Sequence, residues 1–418
     1  MRPVRLVSIM AVLAALVLAA CGGSGSGSSS TGGASASASP ADQPTPTSGC
    51  GSYTLSPPPD PNGILKRLGR QYEQAFVGST TPIQASAWGD WKPSHGPPYT
   101  VGIQWNVENN DYQIAVTRAL KAVLKSDPMI GNVIYQTTGN SVDVGAEIQQ
   151  FNGLVQKHPD ILILQPLTGE AFTSQVDRAA AQGIPTISAF STIPTKNAVS
   201  VHPNDQYNGA VTMGKLAQIM GSKGSLLLVH AIPGETEEIN TMKAAKAVLA
   251  RCPQIKVAGQ VYGSYSTSLA KSETLKFLAT HPQKINGAFQ TAVMAPGVMS
   301  AFQQTGRQIP PVNDIGSNRG SLGYWLSHKG SYHGVGAGLG AEAMARALGG
   351  VARRMLRGQG IRISDVQHPN TIITDRNLSD WAQPGWTLTT PGIAEGPAEQ
   401  FMSDEFLNGL FAQGETPK

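Results

Sequence analysis

Neutral amides and aromatic rings recur along this 418-residue chain wherever an apolar run gives way to a polar turn. Trp105-Asn106, Asn110 with Tyr112, Gln165, Phe190-Ser191, Tyr265, Thr291 and Asn318-Arg319 are the principal points. Amides offer both donors and acceptors, and ring faces cover C–H surfaces, so this set suits a neutral, partly apolar small molecule. Glu235, Glu237 and Glu238 cluster after Pro233-Gly234, at the expected start of a helix. Acidic residues there complement the helix dipole and read as caps, although Glu235 could also face a cleft and hold a cationic group. His230 ends an apolar run, whereas His158, His281 and His368 each precede proline and read as turn positions. The chain has no HExxH, no nucleophile elbow, no Ser/His/Asp spacing and no CxxC. Neither catalysis nor a metal or cofactor is expected.

The elements that must position these residues centre on residues 158–190. Ile161 to Leu164 is a short apolar run between Pro159 and Pro166, which reads as a strand buried on both faces. A helix with Ala171, Phe172, Val176, Ala179 and Ala180 on one side follows Thr168, and Gly183 is placed to end it. Pro185 to Ser188 opens a second strand, and strand–helix–strand in this length requires the strands to run parallel. The alternation is sustained. Strands are expected at 99–105, 132–137, 198–201, 225–229, 255–261, 285–290, 312–316, 331–335 and 371–374. Helices are expected at 111–125, 142–157, 206–220, 236–251, 268–280, 296–305 and 341–356. An α/β protein with parallel sheets follows. Ligands of open α/β sheets bind beyond the carboxyl ends of the strands, which is where the amides and aromatics fall. Gly336-Ala-Gly338-Leu-Gly340-Ala341 has the spacing of a dinucleotide fingerprint, but residues 354–362 supply no acidic partner for a ribose. It reads as a return strand passing close to the cleft.

The ends of the chain carry a different signal. Arg2 and Arg5 precede an uncharged apolar run to Ala20, and Leu18-Ala19-Ala20-Cys21 closes it as a lipobox. Residues 1–20 read as a lipoprotein signal peptide with Cys21 as the lipidated residue; an ordinary cleaved secretory signal is the alternative. Both place the protein outside the cytoplasm. Residues 21–50 are a Gly/Ser/Ala tether too poor in apolar bulk to fold. Residues 51–98 form an irregular extension, with a helix expected near 62–76 and with Trp88 and Trp91 packing it onto a lobe. Cys50 and Cys252 remain in an oxidising compartment, either as a disulfide or as two free thiols. Charged residues make up 14% of the chain and the formal net charge is +4, with no basic stripe that would point to nucleic acid.

The phrases Asp-Ile-Leu-Ile-Leu-Gln-Pro at 160–166 and Ala-Ala-Ala-Gln-Gly-Ile-Pro-Thr-Ile-Ser at 179–188 resemble the type I periplasmic binding proteins of the ribose-binding branch. The resemblance covers about 99–376. It implies two Rossmann-like lobes with parallel sheets joined by a three-strand hinge, lobe one being 99–203 plus 337–367 and lobe two 204–336 plus 368–390. Residues 391–418 would form a tail with a helix near 398–411. It also implies a monomer that carries a small-molecule ligand to an ABC permease, held at the membrane by its lipid. A sensory receptor of the same fold, presenting its ligand to a membrane signalling partner, is the alternative. The site pattern is mixed. Asn110, Tyr112, Gln165, Tyr265 and Asn318 stand near family positions, but the family's Asp-Arg pair is replaced by Phe190-Ser191, its helix arginine by Thr241, and its Asn-Asp by Ala292-Val293. An Asp/Arg grip on adjacent hydroxyls is charge-assisted. Its loss favours a larger, less hydroxylated or aromatic-bearing ligand, or a sugar held by a different residue set.

Overall fold

Ile161–Gln165 is buried along its whole length and pairs in parallel on both sides, so the apolar run that organises the sequence lies at the middle of a sheet. The computed structural model describes residues 39–397 and 401–412. Cys21 and the expected signal peptide lie outside the described residues. Two short helices come first, α1 (Ile64–Leu68) and α2 (Arg70–Ala75). A first series follows: β1 (Tyr99–Val107), α3 (Asp111–Lys125), β2 (Ile130–Gly139), α4 (Val144–Val155), β3 (Ile161–Gln165), α5 (Thr173–Ala180), β4 (Thr186–Ala189) and β5 (Ala198–Pro203). The second series is α6 (Asp205–Ile219), β6 (Gly224–His230), α7 (Thr236–Leu249), β7 (Ile255–Tyr262), α8 (Thr267–Thr280), β8 (Gly287–Gln290), α9 (Ala295–Gln304), β9 (Asn313–Ile315), α10 (Arg319–Ser327) and β10 (Val335–Gly338). The chain closes with α11 (Ala341–Leu356), β11 (Asp365–His368), β12 (Thr371–Ile373) and α12 (Asp404–Gly409).

The first sheet has the order β11-β5-β4-β3-β1-β2 and every pair is parallel. In the second, β7-β6-β8 is joined through an Ala288–Val312 bridge to β9-β10-β12, and β10–β12 is its antiparallel pair. Each sheet is covered by the helices that its crossovers require. On α3, Val116, Leu120 and Leu124 fall four residues apart and are buried, while the Asn110 side chain accepts from Gln113 N to cap the first turn. The chain passes between sheets after Pro203, between Gly338 and Ala341, and between His368 and Thr371. Gly338 and His368 therefore sit one strand end beyond the divisions read from the sequence. Asn204 caps α6 at the first crossing, accepting from Tyr207 N, and its amide donates to the carbonyls of Ala75 and Val77 at 2.9 and 2.8 Å. At the same crossing the buried His202 meets Asp365 of β11 at 2.7 Å, tying neighbouring strands together.

The N-terminal extension runs over both lobes. Cys50 and Cys252 form a disulfide, which decides between the two readings left open and pins the extension to the second lobe. Gly214 of α6 is a requirement of that contact, because a Cβ there would come within 2.7 Å of the Gly51 carbonyl. Further on, Trp88 Nε1 donates to Asn197 O and Trp91 Nε1 to Gly183 O, holding the extension on the first lobe. The single helix expected at 62–76 is two, broken at Gly69 with φ 107°. The strand expected at 331–335 begins only at Val335, and the C-terminal helix is confined to Asp404–Gly409. α10 and β11 had no counterpart among the expected elements.

Candidate ligand-binding site

The carboxyl ends of both sheets face one cavity. Its first-lobe wall includes Asn106, Asn110, Tyr112, Gln113, Gln165 and Phe190. Its second-lobe wall includes Ile232, Glu235, Glu237, Tyr265, Ala292 and Val293, and Pro203, Leu339 and Asn370 come from the crossings. The lobes touch beside it, where Asn109 Nδ2 donates to Ser264 O across the cleft. The cavity leaves about 60 Å³ for the centres of water-sized molecules.

Local backbone geometry aims these side chains. Phe190, Ser264, Tyr265, Val293 and Ser317 all have positive φ without being glycine, and three of them line the cavity. Such conformations persist only where the surroundings over-determine them, and β-branched Val293 is the costliest. Phe190 stands edge-on to Trp105 and Tyr112, with ring centroids 6.2 and 6.0 Å away. Gln165 Oε1 accepts from Asn106 N at 3.3 Å, and Trp105 Nε1 donates to Gln113 Oε1 at 2.9 Å.

On the opposite wall, Glu235 is the N-cap of α7. Its Oε2 accepts from Glu238 N at 3.0 Å and from the Tyr265 hydroxyl. Burial raises the Glu235 carboxyl above its ordinary range, and burial together with the charges of Asp205 and Glu235 pushes Glu237 well above it. Burial, then Glu237 and Glu395, raise the Tyr112 hydroxyl in turn. Tyr112 Oη and Asn370 Oδ1 are buried with no hydrogen-bond partner, and both residues line the cavity. These are free positions for a polar ligand.

Of the residues nominated from the sequence, Asn106, Asn110, Tyr112, Gln165, Phe190, Glu235 and Tyr265 are brought together on the cavity wall. The remaining ones are placed elsewhere. Trp105 is fully buried beneath Phe190 and serves as its support. Ser191 turns inward, donating to Pro166 O. Thr291 donates to Glu238 Oε2 behind the wall. Asn318 is held by Asp314, and Arg319 donates to Ile393 O in the C-terminal segment with its guanidinium over Trp386. Gln113, Glu237, Leu339 and Asn370 are wall residues that were not nominated. Glu237 could have been, since it stands two residues from Glu235. The glycine-rich 336–341 stretch passes the cavity through Leu339, while the first turn of α11 is occupied by Glu395, which accepts from Glu342 N at 3.2 Å. Among the described residues no group of three or more His, Cys, Asp or Glu is arranged to hold a metal ion, and no helix is long and apolar enough to cross a membrane.

Residues 101–359 match the model of a periplasmic binding protein domain. A xylitol-binding protein of Mycolicibacterium smegmatis is 26% identical over 235 residues, 56% of this chain and 66% of that protein, so the chain spans just under two thirds of its length. An ABC transporter solute-binding protein from Thermobispora bispora superposes with a TM-score of 0.62 at 20% identity, over 68% of this chain and 87% of that one. Another from Bacillus halodurans, with bound myo-inositol, gives 0.61 at 17% identity, over 68% and 97%. At these identities the superpositions carry the fold.

Proposed function

We propose, given that this chain belongs to the periplasmic binding protein family, that it is an extracytoplasmic solute-binding protein for a polyol or sugar. The observation that carries the reading is the cavity itself: its polar groups come from the strand ends of both lobes and from the crossings between them. A ligand favours the closed arrangement only through contacts that the open one lacks, and contacts from both walls meet that condition. The neutral amides and carboxylates of the wall suit a polyhydroxylated molecule held by a residue set other than the family's Asp/Arg pair. The polyol names among the relatives point the same way. Delivery to an ABC permease, and anchoring through a lipid on Cys21, complete the proposal.

One experiment joins these parts. Cells lacking the chain are complemented with the wild type or with Cys21→Ala, and uptake of labelled xylitol, glucitol and myo-inositol is compared with calorimetric binding by the purified proteins. Binding by both proteins, with uptake supported only by the wild type, is the expected result. Absence of binding across polyols and sugars alike would sink the reading.

A further inference from the structure

The cavity wall contains two carboxylates, Glu235 and Glu237, and among the described residues no lysine, arginine or histidine lines it. Local structure accounts for Glu235, because it caps α7. Glu238 is equally engaged, by His230 Nδ1, Ala231 N and Thr291 Oγ1. Glu237 has no such employment. The polar group it shares is the Tyr265 hydroxyl, which already donates to Glu235. A phenol has one proton and cannot serve two carboxylates. A carboxylate charge that is half-buried, as Glu237 is, remains costly unless it is paired.

The rest of the cavity shows what would pair it. Tyr112, Phe190 and Tyr265 present three aromatic rings to the same space, and ring faces attract cations. Tyr112, 6% exposed, keeps its hydroxyl without a partner there. A neutral polyol can donate to a carboxylate but leaves the charge uncompensated, and an anionic sugar acid would be repelled. We infer that the ligand is a polyhydroxylated amine, an amino sugar or amino polyol, whose ammonium lies between Glu235 and Glu237 while its hydroxyls meet the amides of the opposite wall. The inference rests on the polyol reading above and narrows it. Burial raises the carboxyls of Glu235 and Glu237 above their ordinary range, which favours their protonated forms. An ammonium between them shifts the balance the other way, toward the charged carboxylates.

Matched pairs test this on the full chain: glucamine against glucitol, and glucosamine against glucose, by calorimetry in two buffers of different ionisation enthalpy. Each amine is expected to bind about tenfold or more tighter than its hydroxyl counterpart, as a charge-assisted contact requires. Protons are released with the amine only. Glu237→Gln should bring the ratio within each pair close to one, while the shorter carboxylate of Glu237→Asp keeps part of the preference. Equal or tighter binding of the neutral members, without proton release, overturns the amine inference and leaves the polyol reading standing. Silence from both members of both pairs, in the wild type, removes both.

Discussion

On the first-lobe wall, the amide oxygens of Gln165, Asn110 and Gln113 already accept hydrogen bonds from Asn106 N, Gln113 N and the Trp105 indole behind the wall. On the second-lobe wall, Glu235 and Glu237 crowd a single phenol and are pushed toward their neutral forms by burial. One wall is a neutral surface whose amides are already hydrogen-bonded, with the Tyr112 hydroxyl left open to a ligand. The other holds an electrostatic deficit that a ligand can relieve. The difference assigns the walls different work. The neutral wall sets shape and orientation, and the acidic wall couples binding to closure, because its deficit is relieved only when the lobes enclose a suitable group.

The largest test of that division removes the ring that shapes the neutral wall. Phe190 is 7% exposed and packs edge-on against Trp105 and Tyr112. Phe190→Ala should cost about 3 kcal/mol of unfolding free energy by opening a cavity under the wall, and should weaken binding of every member of the ligand panel together. Chemical denaturation and calorimetry on the same preparation check both. A variant that loses stability but binds as before would show that the wall does not set the shape of the site.

A smaller effect is expected behind the acidic wall. Burial by itself would raise the Glu238 carboxyl, but its hydrogen bonds with His230, Thr291 and Ala231 N outweigh burial and hold it below its ordinary range. A carboxyl depressed in the fold stabilises the protein above its unfolded pKa, and that contribution is lost as pH falls through the folded value. Glu238→Gln should cost about 2 kcal/mol at neutral pH, because an amide nitrogen then faces a donor. It should also flatten the acid limb of the melting temperature against pH. An unchanged acid limb would show that other carboxyls carry it.

Much of this architecture was legible because the buried strands announce themselves. Ile161–Leu164 and Leu226–Val229 are unbroken apolar runs, and α3 and α11 have both a clear apolar stripe and a clear start. The omissions have physical causes. α10 contains Gly320 and Gly323, poor helix formers, yet a Cβ at either would come within 2.6 Å of Leu388 O or 2.4 Å of Trp386 Cβ. The glycines that hide the helix are the ones that let the segment 386–388 pack on it. β11 is four residues long with three polar members, too short to show a period. Because β11 was missed, the strand-end rule had nothing to say about Asn370, which follows it and lines the cavity. Conversely, Ser191, Thr291 and Asn318 do stand at strand ends, but each has a protein partner behind the wall. Position along a strand fixes the end of the sheet a residue occupies, whereas the direction of its side chain depends on partners distant in sequence.

The smallest predicted effect separates capping from recognition on the neutral wall. Asn110 Oδ1 accepts from Gln113 N at 2.9 Å, which caps α3, while its amide nitrogen donates to Asn109 Oδ1 at 3.1 Å beside the cavity. Asn110→Ser keeps a side-chain oxygen at the cap, where serine serves about as well as asparagine, so stability should stay within about 0.5 kcal/mol of the wild type. The lost amide should weaken glucitol and glucamine alike by about fivefold, the worth of one neutral hydrogen bond of roughly 1 kcal/mol. An equal loss for both compounds is the signature of a wall indifferent to charge. If glucamine suffered far more than glucitol, the division of labour between the two walls would fail, because the ammonium would then lie against the amides and away from Glu235 and Glu237.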